Sequence, residues 1–69
     1  MEYTRYVLVY FKNETSKGTS NYKEYKTLTG AYKAALRMLK GNDDFVTIRE
    51  EIHFNGGFMS GIIETVKAA

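Results

Sequence analysis

The chain has no cysteine and only one histidine. Without cysteine, neither a disulfide framework nor a thiolate metal site can supplement the core, and one histidine argues against structural zinc. No apolar run approaches the roughly 20 residues of a membrane-spanning helix. The longest, Tyr6 to Phe11, is of strand length. Glu2 and Arg5 precede it, which makes a poor secretion signal, so a soluble, cytoplasmic protein is expected. Signatures of chemistry are lacking as well. There is no nucleotide-binding glycine loop, calcium-loop spacing or nucleophile set beside an oxyanion hole, so an enzyme is not expected, nor a metal or cofactor.

What is present is 69 residues, of which 14% are aromatic. That length suits one small α+β domain spanning residues 1–69, near the lower size at which a core stabilises a fold unaided. Efficient packing or association with another chain has to make up the difference. The net charge of +2 is too small to point to nucleic acid. Its distribution is uneven: residues 1–42 carry a net +5 and residues 43–69 a net −3. Such asymmetry suits a polar partner, or attraction between the two parts within the fold or across a dimer.

Tyr3 to Lys12 reads as a strand apolar on both faces, with Val7, Val9 and Phe11 on one and Tyr6, Leu8 and Tyr10 on the other. A polar loop, Lys12 to Ser20, leads to a weaker edge strand over Asn21 to Lys26. Leu28 to Gly41 is the helix, capped by Thr27 or Thr29 and stopped by a left-handed Gly41. Its expected core stripe is Leu28, Tyr32, Ala35, Leu36 and Leu39, with Ala31 and Met38 at the margin. The small alanines would let it lie close to a sheet.

Phe45 to Val66 reads as a hairpin about Asn55-Gly56, a dipeptide suited to a type I′ turn. A two-residue loop pairs Ile52 with Met59, Glu50 with Gly61, Ile48 with Ile63 and Val46 with Thr65. One face then holds Val46, Ile48, Ile52, Phe54, Met59 and Ile63, interrupted only by Glu50, which reads as a rim residue or half of a local ion pair. The expected whole is β-β-α-β-β, a four-stranded antiparallel sheet with the helix on one face.

The face left uncovered carries the functional expectation. Aromatic rings among charged groups resemble a binding surface more than a solvated sheet, and the residues assigned to it are Tyr6, Tyr10, Phe45, Arg49, His53, Phe58 and Ile62. The expected occupant is a protein partner or a second copy in a homodimer. The alternative is single-stranded nucleic acid, with sheet aromatics stacking bases and Lys23, Lys26, Lys33, Arg37 and Lys40 tracking phosphates. In length and composition, though in no motif, the chain resembles the short, cysteine-free, tyrosine-rich proteins of phages and mobile elements. That resemblance implies an inhibitor of a host defence protein and assigns no residue.

Overall fold

β1 (Tyr3–Phe11) forms where aromatic and β-branched residues are densest. In the computed structural model, which describes residues 2–67 apart from the side chains of Asn21 and Tyr22, it is followed by β2 (Thr19–Tyr25), α1 (Leu28–Met38), β3 (Phe45–Phe54) and β4 (Gly57–Lys67). Among the described residues the fold is a small α+β one, with a single helix against an antiparallel sheet whose strands run in the order β2-β1-β3-β4. β1 is therefore interior, as its two apolar faces require, and β2 and β4 are edges. Among the described residues no helix is long and apolar enough to cross a membrane.

The Thr27 side chain caps α1, accepting a hydrogen bond from the Gly30 amide at 3.1 Å. The other end differs from expectation. The helix stops at Met38 and Leu39 turns extended (φ −71°, ψ 126°), so no left-handed Gly41 is involved. The buried Asp44 carboxylate takes over instead. Its Oδ2 accepts from the Lys40 amide (2.8 Å), the Gly41 amide (2.9 Å) and the Tyr10 hydroxyl (2.6 Å). A single carboxylate thus ties the helix exit to the central strand.

Those donors set a pH window. The Tyr10 hydroxyl first, then the Lys40 amide, hold the Asp44 carboxyl below its ordinary value, and the same contact pushes the Tyr10 phenol up. With the folded carboxyl depressed, its contribution is complete above about pH 4 and lost as pH falls through the folded value. With the folded phenol raised, its contribution is complete below about pH 10 and lost as pH rises through the folded value. The stability gap between the wild type and Asp44→Asn, measured by urea denaturation, should therefore be widest near neutrality and shrink at pH 3. A gap indifferent to pH would mean that the carboxylate charge plays no part.

The helix rests on its small residues. Ala31, Ala34 and Ala35 are buried with Leu8, Val46, Ile48 and Val66, while Tyr6, Tyr10, Tyr25, Met38 and Leu39 pack round that set. Leu28, Tyr32 and Leu36, expected in the core, are exposed on the helix flank. Close approach of the backbone to the sheet is possible only where side chains are small, so the alanine face goes down and the larger residues turn aside. The helix side of the sheet consequently carries Tyr6, Leu8 and Tyr10 of β1.

The hairpin turns at Asn55-Gly56, but only Gly56 has left-handed backbone (φ 98°), and Asn55 does not share it. One positive φ at the second central position is the pattern of a type II turn rather than type I′. The register holds as expected through Phe54–Gly57, Ile52–Met59 and Glu50–Gly61. Beyond Arg49–Ile62 it shifts, because Ile63 is an extra residue, and Ile48 lies opposite Glu64 and Val46 opposite Val66. One inserted residue exchanges the faces of everything after it. Without the bulge Thr65 would face Val46 in the core; with it, Val66 fills that place and is buried.

Lengths decide what stays uncovered. An 11-residue helix is about 16 Å long, whereas the 10 residues of β3 span about 33 Å. α1 begins three residues after Tyr25, which pairs with Tyr6, itself paired with Glu50. Cover therefore ends near Glu50, which is half-buried at that rim, and the hairpin tip with Ile52, Phe54 and Met59 projects past the helix. The 40 × 23 × 18 Å envelope reflects that projection.

Candidate functional site

The face away from the helix is built as rows of residues in register across β1, β3 and β4. From the hairpin tip inward they are Tyr3–His53–Phe58, Arg5–Glu51–Ser60, Val7–Arg49–Ile62, Val9–Thr47–Thr65 and Phe11–Phe45–Lys67. β2 adds Glu24 opposite Val7 and Ser20 opposite Val9. Strand alternation alone aligns these side chains.

The tip row is an aromatic column. The Tyr3 and His53 rings stack at 4.6 Å and 2°, and His53 and Phe58 at 5.2 Å and 22°. The Arg5 guanidinium lies 4.6 Å from the Tyr3 ring centre, a cation–π contact. His53 Nε2 is 3.1 Å from Glu51 Oε1, which fixes the imidazole between its two aromatic neighbours. Glu24 joins from β2, so that ligand atoms of Glu24, Glu51 and His53 all lie within 4.8 Å of one another. Two carboxylates and an imidazole can hold a divalent cation. Proximity by itself does not make a metal site, since exposed acidic groups commonly gather without one.

The opposite end of this face is closed. Phe11 and Phe45 stack at 4.7 Å, and Gly18 of the β1–β2 loop lies directly on the strand. A Cβ at Gly18 would come within 2.5 Å of Val9 Cγ1 and 2.7 Å of the Phe11 ring. Tyr3, Phe58 and Ile62, towards the tip, are exposed. A separate cleft of about 520 Å³ opens near Asn13, Glu14, Asn42, Asp43 and Lys67; of its three carboxylates, Asp44 is already engaged by three donors.

Five of the seven expected contact residues, Phe45, Arg49, His53, Phe58 and Ile62, share this face. Tyr6 and Tyr10 do not: they lie on the helix side, packed against the core, because the tyrosine set of β1 goes under the helix. Lys33, Arg37 and Lys40 belong to or follow the helix and are exposed on the side away from Phe45 and Phe58, with Lys26 just before it. Lys23 lies on edge strand β2, its ammonium 5.4 Å from the Tyr25 ring. The rings and cations that nucleic acid would need are thus divided between two sides of the molecule.

Tyr3, Arg5 and Glu24 belong to the site and were not among the residues assigned to it. The parity of Tyr3 and Arg5 with Val7 could have placed them. Glu24 could not be placed that way, because the β1–β2 register shifts between Val7 and Leu8. No protein-family model matches the chain, and no curated protein or solved structure is detectably similar to it.

Proposed function

We propose that this chain is a non-enzymatic protein-binding module whose contact surface is the hairpin-tip half of the open sheet face and the adjoining edge. One observation carries this reading. Tyr3, Phe58, Met59, Ile62 and Ile63 are exposed, while three of the seven core residues are alanines. A chain that leaves its larger apolar side chains in water gains most when another surface covers them. His53, Arg49 and Glu51 among those side chains supply directional contacts, and the stacked column presents them rigidly. The narrower forms are an occluding inhibitor of a host defence protein, carried by a phage or mobile element, and a homodimer.

The test is a double variant, Phe58→Ser with Ile62→Ser. Neither side chain is in the core, so its circular dichroism should match the wild type. Burying each is worth about 1.5–3 kcal/mol, so affinity for the partner should fall by at least about 100-fold. Chemical cross-linking, to itself or to proteins of a cell extract, reads this out. Equal cross-linking by the variant and the wild type would overturn the reading.

A further inference from the structure

We propose that the partner is a second copy of this chain, joined through the free edge of β4 so that one sheet runs through both molecules. This rests on the protein-binding reading and names its occupant. The two edges of the sheet differ in kind. β2 carries Lys23 and Glu24, with Lys26 just beyond, charged side chains of the kind that blunt an edge. β4 has no charged residue from Gly57 to Ile63 and no proline, and its residues are exposed throughout that stretch.

The backbone of this segment is aimed outward. In a two-residue hairpin the closing pair, Phe54–Gly57, is the hydrogen-bonded kind, and the kinds alternate along the ladder. Phe58, Ser60 and Ile62 therefore point their N–H and C=O groups away from β3. Antiparallel pairing of two copies about a two-fold axis at Ser60 would satisfy all three sets at once.

The side chains complement themselves in that register. Met59 falls opposite the partner's Gly61, where β4 has a notch: a Cβ at Gly61 would meet nothing within 4 Å. Phe58 falls opposite the partner's Ile62 on the other face, an aromatic against a β-branched residue. Each match occurs twice by symmetry, and no like charges meet. The Ile62/Ile63 bulge ends the regular stretch, which limits the pairing to Phe58–Ile62. Five residues from each copy make a small interface, in the size class of weak, concentration-dependent association.

Sedimentation equilibrium, combined with residue-resolved amide exchange across a concentration series, tests this. The expected mass rises from 7.9 kDa towards twice that value. Exchange at Phe58, Ser60 and Ile62, free of any ladder partner in the monomer, slows most steeply as concentration rises, while Met59 and Gly61, bonded to β3, are already protected in dilute solution and change less. Ser60→Pro removes an outward N–H, and Met59→Lys puts a charge at the join. Both should remain monomeric with unchanged circular dichroism, and Met59→Lys suffices should the proline disturb the fold. A wild type that stays monomeric to about 500 μM, or a dimer indifferent to Met59→Lys without protection at those three amides, overturns the proposal. Cross-linking to another protein that Phe58→Ser with Ile62→Ser abolishes would, in that event, leave the protein-binding reading standing. Absence of any such cross-link would end both.

Discussion

Leu8→Ala should leave the domain largely unfolded at room temperature, whereas Leu36→Ala should scarcely alter it. Leu8 is 0% exposed at the centre of the interior strand, and Leu36 is 45% exposed on the helix flank. Truncating a buried leucine costs about 2–5 kcal/mol, the spread depending on how far the surroundings collapse into the cavity. Little collapse is available here, since the neighbours are three alanines on a helix and β-branched residues held in a ladder. A domain of this size has roughly 3–5 kcal/mol of stability to lose. Leu36→Ala removes a side chain that buries little and substitutes the best helix former, so its effect should stay within about 0.5 kcal/mol. Urea denaturation followed at the helix signal separates the two. Similar losses at both positions would mean that the helix lies on its leucine face and not on its alanine face.

Gly18→Ala should be the most damaging substitution outside the core, at about 1–3 kcal/mol. The added methyl would overlap Val9 and Phe11, and Val9 is a branched side chain on the interior strand with little freedom to move aside. Gly61→Ala is the matched control. Its methyl would enter open space, and a strand glycine replaced by alanine gains about 0.5–1 kcal/mol by restricting the unfolded chain. Thermal melts in dilute solution should therefore move in opposite directions. If Gly18→Ala melts with the wild type, the β1–β2 loop lifts from the sheet at little cost.

Local chemistry was legible in the sequence. A threonine cap at Thr27 or Thr29, the turn at Asn55-Gly56, and the division of β1 into a valine and a tyrosine face were readable from residue type and spacing; that the cap is Thr27 came from the structure. What escaped were the outcomes of competition between residues that satisfy the same rule. Leu28, Tyr32 and Leu36 form as good a stripe as the alanines, and only the closeness of helix to sheet favours the smaller set. Ile63 fits the apolar face in an unbroken ladder, and only the placement of Val66 requires the bulge. The candidate surface followed the same pattern. Phe45, Arg49, His53, Phe58 and Ile62 were readable from alternation along one hairpin. The exclusion of Tyr6 and Tyr10 depended on which side of β1 the helix would take, which β1 itself, apolar on both sides, does not record.

The position of β1 between β2 and β3 has a kinetic consequence. The β3–β4 hairpin closes over a two-residue turn, but β1 meets β3 only when residues some forty positions apart come together, as Tyr6 does with Glu50. Pairings of that separation slow folding, because the intervening chain must be ordered before any contact rewards it. Val66, near the end of β4, completes the same core that Leu8 begins. Because the core draws on both β1 and β4, neither half buries it alone, and folding is expected to be cooperative, with the β1–β3 pairing as its slow step.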